Sequence, residues 1–443
     1  MRVAVLIWRL GPYHHARLNA AGKVAEVFAI EACALDNTYA WEKLEGAVHF
    51  TRITLQERDP AGRREKREFR DRMFRALDKL NPEVVAIPGW SFVDSLSALS
   101  WCVSRRKPVV VMSDSTSSDS PRAFWKEAIK RQVVKLCSSA FVAGTPHTEY
   151  ISALGMPPGR IFLGYDAVDN EYFSKGAEEV RSPRKAAEQQ RGEQSSVVRG
   201  QYGLPENYFL ASARFVEKKN LPRLIEAYAR YRKMVDNGLQ DNKTTGPSVV
   251  SSPVVSSPSP VVGGPVVSGR PSAPWSLVLL GDGPLKSDLC HLISDLGLQH
   301  SVLLPGFKQY PDLPAYYGLA SAFIHASTTE QWGLVVNEAM ASGLPVLVSN
   351  RCGCAQDLVR EGVNGFTFDP YNVEEMANVM LRLTETPKHR LTEMGDASRQ
   401  LISAWGPERF ARGLHDAAET ALKNPPPIAT VYDRLLLMAL IYK

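Results

Sequence analysis

The sequence has few cysteines and no long apolar run, and both absences narrow the class of protein. Six cysteines in 443 residues are too few for the disulfide framework that stabilises small secreted domains. No segment reaches the roughly 18 apolar residues that a membrane-spanning helix needs. The opening "MRVAVLIWRL" predicts a buried first strand rather than a signal peptide. We therefore expect a cytoplasmic protein.

Two ligand-binding motifs are also missing. A nicotinamide-dependent oxidoreductase needs G-x-G-x-x-G after the first strand, but "IWRLGPYHHARL" has one glycine and "GDGPLK" lacks the spacing. Cys352 and Cys354 have no second pair or histidine at metal-ligand spacing. We predict that they pack in a tight turn rather than bind a metal.

The composition that remains is that of a soluble globular protein, with 44% hydrophobic and 22% charged residues. The net charge of +5 suits phosphate-bearing ligands or an anionic membrane surface without proving either. The length allows two or three domains.

Short apolar runs alternate with amphipathic stretches along the whole chain. Runs such as "VAVLIW", "EVVAIP", "SLVLLG" and "PVLVSN" are bounded by Gly, Pro or Ser and predict strands. Amphipathic segments between them predict helices, so each half should form an α/β domain with a parallel sheet. We predict domains at 1–185 and 200–405, and helices at 406–443 that return to the first domain.

The segment 240–274 interrupts this pattern, because most of it consists of Ser, Pro, Val and Gly. Closely spaced prolines disfavour both helix and sheet, so we predict a disordered surface insertion. A ligand for a proline-recognition domain is the alternative interpretation of this segment.

Three strand-to-helix turns in the second half carry groups suited to a nucleotide sugar. Ligands of open α/β sheets bind where strands end and helices begin, and helix N-termini favour phosphate. "SARFVEKKN" supplies Arg214 and Lys219, "LLGDGPLKSDL" turns at Gly281, and "STTEQWGLVVNEAMASG" enters a helix near Gly333. Basic side chains suit a diphosphate.

Two carboxylates stand eight residues apart around that third turn. Glu330 is expected in the loop and Glu338 about one and a half turns inside the helix, so they would face different parts of one ligand. An ionised carboxylate only accepts hydrogen bonds and can hold sugar hydroxyls. A central phosphate with polyhydroxylated ends describes a nucleotide sugar.

"EQWGLVVNEAMASGLPVLVSNRCGCAQDLVREGVNGFTF" resembles the signature of retaining glycosyltransferases of family 4 (glycosyl transferases group 1). That family has Glu-x7-Glu, a Gly-Leu at the helix start and a closing Asn-Gly. "SARFVEKKN", "LLGDGPL" and "GFKQYPDLPAYYGLASAFIHAS" precede it in family order, and "RIFLGYDAVDNEYF" matches the connection into the second domain. The resemblance is strong over about residues 205–385 and implies the GT-B architecture, two facing Rossmann-like domains with a donor cleft between them.

The resemblance also implies roles for individual residues. Glu338 would hold the ribose and Glu330 the donor sugar, while Arg214 and Lys219 would neutralise the diphosphate with the amides of Gly333 and Leu334. The remaining expected donor contacts are Gly281, Gly306 and Phe307. The implied reaction transfers a hexose from a UDP- or GDP-sugar with retention. Neither a metal nor another cofactor is expected, and no Asp-x-Asp occurs in the second domain.

The chain departs from the family pattern in the first domain. Many relatives carry a histidine after the fourth strand, where this sequence reads "VVVMSDSTSSDS". Asp114 is our candidate replacement in catalysis, and a helix cap is the competing interpretation. The glycine usual in the domain connection is Ala167, and the glutamate usual after a later strand is Asp357.

The loop after the first strand belongs to the acceptor side of the predicted cleft. His14, His15 and Arg17 are therefore candidates for acceptor contacts, against a plain structural role. The expected partners are a nucleotide-sugar donor and a glycan, lipid-linked or small-molecule acceptor, and no nucleic acid. The basic helix predicted at 63–80 is either a solvated face or a peripheral contact with the inner membrane face.

Two other functions compete with transfer. One is a catalytically degenerate protein of the same fold that binds nucleotide sugars as a scaffold, favoured by the missing histidine and the unusual insertion. The other transfers the sugar to water or isomerises it. Intact Glu330, Glu338, Arg214 and Lys219 argue for catalysis.

Overall fold

The computed structural model describes residues 1–34, 48–60, 62–119, 122–181, 196–244 and 273–443. The predicted insertion falls mostly outside these residues, since 245–272 are not among them. Its first five positions, 240–244, instead continue a helix that ends at Thr244. None of the helices in the described ranges is both long and apolar enough to cross a membrane.

The first sheet contains seven parallel strands. They are β1 (Arg2–Ile7), β2 (Glu26–Cys33), β3 (Phe50–Gln56), β4 (Val84–Pro88), β5 (Val109–Ser113), β6 (Ser139–Val142) and β7 (Ile161–Leu163). Their order in the sheet is β3-β2-β1-β4-β5-β6-β7. The helices between them are α1 (Pro12–Ala21), α2 (Arg63–Leu80), α3 (Val93–Arg105), α4 (Phe124–Val134) and α5 (Thr145–Ala153).

The second sheet contains six parallel strands. They are β8 (Tyr208–Ser212), β9 (Ser276–Leu280), β10 (Val302–Gly306), β11 (Ala322–His325), β12 (Val346–Ser349) and β13 (Gly365–Phe368), in the order β10-β9-β8-β11-β12-β13. The accompanying helices are α6 (Asn170–Arg181), α7 (196–202), α8 (Leu221–Thr244), α9 (Lys286–Asp295), α10 (Leu313–Leu319), α11 (Leu334–Ala341), α12 (Ala355–Leu358), α13 (Val373–Thr384), α14 (Lys388–Ile402), α15 (Pro407–Lys423) and α16 (Val431–Ile441).

Buried apolar residues cover both faces of both sheets. In α2, Phe69, Met73 and Leu77 are spaced by one turn and fully buried against the first sheet, while the basic residues of that helix face outward. In β1, every residue from Val3 to Ile7 is buried. Strands buried on both faces read as continuous apolar runs, which is why the pattern predicted parallel sheets.

Two helical segments cross from one domain to the other: α6 packs on the second domain, and α15 and α16 pack on the first. Helix α6 packs against α10 and α11, and its Arg181 guanidinium donates to the Gly318 carbonyl at 2.6 Å. The predicted domain boundary at 185 therefore lies after α6, whereas the packing assigns this helix to the second domain. Helix α15 packs against α1 and the strands β4 to β7, and α16 packs against α3.

Each sheet has one point where the strand order reverses, between β1 and β4 in the first and between β8 and β11 in the second. Loops leaving the carboxyl ends of strands at such a point diverge and leave a crevice for a ligand. "SARFVEKKN" leaves β8 and "ASTTEQW" leaves β11, so two of the three turns singled out in the sequence flank the same reversal.

Candidate active site

A cleft of about 850 Å³ lies between the two domains at these strand ends. Tyr13, Asp114 and Asp166 line it from the first domain. Nine of the predicted site residues line it, namely Asp114, Arg214, Lys219, Gly281, Phe307, Glu330, Gly333, Leu334 and Glu338. Gly306 is the last residue of β10, directly before Phe307, and does not line the cleft.

Glu330 and Lys219 form an ion pair inside the cleft. The Lys219 ammonium donates to Oε2 of Glu330, which also lies 3.1 Å from His325 Nε2 and accepts from the Ser327 hydroxyl at 3.2 Å. Burial raises the pKa of the Glu330 carboxyl, but the hydrogen bond with His325 and the charge of Lys219 outweigh it and hold that pKa well below its usual range. Glu330 is therefore ionised at neutral pH.

The loop that carries Glu330 is held by the turn containing the two cysteines. The Gly353 N–H donates to the Glu330 carbonyl at 3.0 Å, and the Cys354 N–H donates to the Trp332 carbonyl at 3.1 Å. A Cβ on Gly353 would lie 1.8 Å from the Gln331 carbonyl oxygen, so only glycine allows this approach. The cysteines are buried and free, as packing residues of a tight turn.

Asn220 positions the loop that carries Lys219. Its backbone is left-handed at φ 58°, and its side-chain amide donates to the carbonyls of Ala326 and Pro370 at 3.1 and 2.7 Å. The Lys218 carbonyl accepts from the Thr328 N–H at 2.9 Å. The loops after β8 and β11 are thus tied together, which keeps the lysine and the glutamate in register.

Helix α11 begins beside this pair at a glycine. Gly333 precedes the helix with φ 108°, a conformation that favours glycine, and Leu334 is the first helical residue. The first N–H groups of a helix lack partners within it and carry the positive end of its dipole. The start of α11 thus adds donors to the positive charges of the cleft.

Glu338 is buried one turn further along α11 and is already hydrogen-bonded. Its Oε1 accepts from the Tyr13 hydroxyl of the first domain, and its Oε2 accepts from the Tyr317 hydroxyl at 2.5 Å. Burial raises the pKa of Glu338 to about 7, although both hydrogen bonds favour the ionised form. The two domains therefore meet at the carboxyl group that we predicted for ribose.

Asp114 faces the second domain across the cleft. It follows β5, and its Oδ1 accepts from the Gln331 side-chain amide at 3.2 Å. Burial, together with the nearby charge of Asp166, raises the pKa of Asp114 to about 7. The next helix, α4, begins only at Phe124, so the interpretation of Asp114 as a helix cap is wrong.

The three predicted acceptor residues lie on α1 and do not line the cleft. Arg17 is buried, and its guanidinium donates to Asp166 Oδ1 at 3.1 Å and to the Ala167 carbonyl at 2.8 Å. An acceptor contact by Arg17 would require this pair to open. His15 packs edge-on against Phe50, and burial lowers the pKa of both His15 and His14, the latter to about 3.

The structure adds four side chains that the sequence analysis missed: Tyr13, Asp166, Tyr317 and His325. His325 ends β11, so its position at a strand end was a usable signal. Asp166 stands one residue before Ala167 in the domain connection that we had already singled out. The tyrosines contact Glu338 from 325 and 21 residues away, and no local pattern marks them.

The fold of the whole chain is similar to that of solved glycosyltransferase-fold structures. The protein superposes on Anabaena HepE in complex with UDP with a TM-score of 0.63 and 15% sequence identity, covering 94% of this chain and 98% of that chain. The protein has the GT-B fold. The predicted architecture of two facing Rossmann-like domains is thereby confirmed.

The sequence of the second domain matches a known family model. Residues 270–400 match the family model "Glycosyl transferases group 1". An uncharacterized glycosyltransferase of Haemophilus influenzae is 34% identical over 136 residues, which cover 31% of this chain and 38% of that protein. A GDP-mannose-dependent alpha-(1-6)-phosphatidylinositol monomannoside mannosyltransferase of Mycobacterium tuberculosis is 31% identical over 149 residues, 32% of this chain and 38% of that protein. The chain thus spans about two fifths of the length of these relatives.

Proposed function

We propose that the protein is a glycosyltransferase that moves a hexose from a nucleotide sugar to an acceptor hydroxyl, with retention of anomeric configuration. The main observation behind this proposal is the ion pair of Glu330 and Lys219 in the interdomain cleft. It lies beside the N-terminus of α11, which Gly333 precedes. The matched family and the relatives that are named as glycosyltransferases support this proposal.

The proposed donor lies with its diphosphate at the basic side of the cleft. Arg214 and Lys219 neutralise the leaving diphosphate, aided by the amides at Gly333 and Leu334, and each charge-assisted contact is worth about 1.5–3 kcal/mol. The ionised Glu330 stabilises positive charge at the anomeric carbon, and preorganised charges of this kind supply most of the acceleration. No metal or other cofactor takes part in this proposal.

Ribose binding at Glu338 exchanges one hydroxyl donor for another. A ribose hydroxyl offers the same O–H group that Tyr13 now donates to Oε1 of Glu338. Since Tyr13 belongs to the first domain, its release accompanies a small opening between the domains, and reclosure over the donor excludes water. Phe307, which is 40% exposed at the cleft, and the backbone beside it meet the base.

The proposed acceptor is a glycan, a lipid-linked glycan or a small molecule bound on the side of the first domain, in polysaccharide biosynthesis at the cytoplasmic side of a membrane. One surface of this domain supports a lipid-linked acceptor. Helices α4 and α16 are joined by a hydrogen bond between Gln132 and Asp433. The large apolar side chains that are more than half exposed on and beside these helices are Phe124, Trp125, Ile428, Val431, Tyr432 and Leu435.

A thermal-shift screen tests the proposed function. UDP, GDP, ADP and their common sugar conjugates are added to the purified protein with and without EDTA. A ligand at 100 times its dissociation constant adds about 2.7 kcal/mol of stability. We expect one nucleotide to stand out, with a shift that EDTA leaves unchanged and that Glu338→Ala abolishes.

Each variant is compared with its own unliganded unfolding temperature, so a general loss of stability does not mimic lost binding. The matched control is Glu374→Ala, which removes an exposed helical glutamate outside the cleft. No shift with any nucleotide would contradict donor binding. A normal shift without product from any acceptor would favour the scaffold function.

A further inference from the structure

Asp166 carries a buried carboxylate oxygen that nothing in the described structure satisfies. The residue is 6% exposed, lies on the connection from β7 to α6, and lines the cleft. Its Oδ1 accepts from Arg17, but its Oδ2 has no hydrogen-bond partner among the described residues. Leaving such an atom unpaired destabilises the folded protein, so a ligand group that donates to it would be bound favourably.

Arg17 fixes the orientation of this carboxylate. Its guanidinium holds Oδ1 at 3.1 Å and the neighbouring Ala167 carbonyl at 2.8 Å, and it stacks over Tyr165 at 5.6 Å from the ring centroid. A guanidinium held at several points cannot turn with the ligand. The orientation of the unpaired Oδ2 is therefore fixed.

Asp114 is a second carboxyl group close to Asp166 on the same wall of the cleft. Burial raises the pKa of both groups, that of Asp114 to about 7. The charge of Asp166 raises the pKa of Asp114 further, the charge of Glu330 raises that of Asp166, and the charge of Arg17 opposes both shifts. With a pKa of about 7, the Asp114 carboxyl is partly protonated near neutral pH, so it offers an O–H donor beside the acceptor oxygens of Asp166. A sugar hydroxyl also donates and accepts, and it matches both groups at once.

The pair faces the part of the cleft where the sugar is expected. Gln331, which donates its amide to Asp114, directly follows Glu330 in the loop before α11. The charge of Glu330 also acts on Asp166. A hexose next to Glu330 therefore lies between the carboxylate of the second domain and the acid pair of the first.

We propose that Asp166 and Asp114 together bind a hydroxyl of the transferred hexose, and that Arg17 is the positioning residue for Asp166. This inference rests on the proposed function and adds a subsite for the sugar, supplied by the connection between the domains. The nucleotide is then bound by the second domain alone, whereas the sugar lies between Glu330 of that domain and the two aspartates.

Calorimetric titration of nucleotides with and without their sugar tests the subsite. The probes are UDP and UDP-glucose, GDP and GDP-mannose, and ADP and ADP-glucose, added to the wild-type protein and to the Asp166→Asn variant. We expect the variant to bind the preferred sugar conjugate at least tenfold more weakly and the matching free nucleotide within twofold of the wild type. Asparagine keeps an oxygen for Arg17 but replaces Oδ2 by a donor.

Two further variants serve as a matched control and as an independent second test of the subsite. Asp169→Asn lies three residues away and is the matched control, because Asp169 accepts from the Tyr172 N–H at the start of α6 and asparagine caps equally well. Asp114→Asn removes the second carboxyl without touching Arg17, so it carries the test if Asp166→Asn does not fold. We expect Asp114→Asn also to weaken binding of the sugar conjugate without weakening binding of the free nucleotide.

If Asp166→Asn weakened binding of the sugar conjugate and of the free nucleotide equally, or changed neither affinity, the subsite would be overturned and the proposed function would remain intact. Binding of none of the six probes by the wild type would overturn both. A loss of binding in Asp169→Asn similar to that in Asp166→Asn would assign the effect to the connection as a whole and also overturn the subsite.

Discussion

The chemistry of Glu338 depends on two tyrosines that meet it from different parts of the molecule. Tyr13 and Tyr317 each donate one hydroxyl to it, and it is 1% exposed. Two hydrogen bonds do not compensate fully for burial, since the pKa of this carboxyl rises from its usual range to about 7. A buried carboxyl group that is costly to ionise in the free protein has a measurable effect on stability.

We predict that Glu338→Gln stabilises the unliganded protein more at pH 8 than at pH 5. The folded-state pKa of about 7 lies above that of an unfolded glutamate, so wild-type stability falls as the pH rises from about 4.5 to 7. Glutamine has no such titration. The free energy of unfolding of the variant relative to wild type should therefore increase by about 2 kcal/mol between pH 5 and pH 8.

Urea unfolding at both pH values measures this difference, and Asp114, which has a similarly raised pKa, titrates in both proteins and cancels. Glu374→Gln, at an exposed helical site, should show no such change. A pH-independent difference for Glu338→Gln would contradict the raised pKa of Glu338.

At the scale of elements, the loop after β9 is shaped by its approach to the loop after β8. Gly281 has φ 138°, and a Cβ there would lie 1.8 Å from the Ala213 carbonyl oxygen. The Ala213 N–H donates to the Leu280 carbonyl, and the Phe215 N–H donates to the Asp282 carbonyl, both at 2.9 Å. These contacts join two walls of the cleft.

We predict that Gly281→Ala destabilises the protein by about 2–3 kcal/mol more than Gly89→Ala. Both glycines have positive φ, but nothing lies within 4 Å of a Cβ at Gly89. Gly89→Ala should therefore show only the backbone strain of about 1–2 kcal/mol, while Gly281→Ala adds a clash with backbone that cannot move aside.

Denaturant midpoints at unchanged m-value give both numbers. Equal losses for the two variants would show that the loops after β8 and β9 separate easily. In that case Gly281 would not shape this side of the cleft.

At the scale of the whole molecule, the apolar side chains on α4 and α16 lie on the first domain among basic residues. Phe124 is 85% exposed and Trp125 is 55% exposed, and Arg131 and Lys135 are exposed further along the same segment. Aromatic and aliphatic side chains flanked by lysine and arginine suit the headgroup region of an anionic membrane.

We predict that the protein sediments with vesicles of phosphatidylcholine and phosphatidylglycerol, and that the triple variant Trp125→Ser, Tyr432→Ser, Leu435→Ser binds them at least about tenfold more weakly. Vesicles of phosphatidylcholine alone should bind less, and salt should weaken the contact by screening. The matched control is Val24→Ser with Val363→Ser, which removes two other half-exposed apolar side chains.

Sedimentation that ignores both lipid charge and the triple variant would contradict the membrane contact. Concentration-dependent self-association that the triple variant abolishes would instead assign the apolar surface to an interface between copies of this chain.

Local patterns in the sequence were sufficient to predict most of the architecture and many of the residues that line the cleft. Apolar runs such as Val3 to Ile7 report burial on both faces, which led to two parallel sheets. Arg214 and Glu330 could be assigned to the cleft because they follow strands and precede helices, and the carboxyl ends of parallel strands lie along one edge. Gly333 marked the start of α11 because a left-handed residue favours glycine.

Only the tertiary structure decided which distant groups meet. The periodicity of α6 shows that one face is buried but not against which sheet, and the predicted boundary therefore missed its packing on the second domain. Arg17 looked like an acceptor contact until the fold paired it with Asp166, 149 residues away. Backbone geometry and burial leave a local pattern because neighbours along the chain produce them, whereas hydrogen bonds such as that of Tyr13 with Glu338 arise from packing between domains.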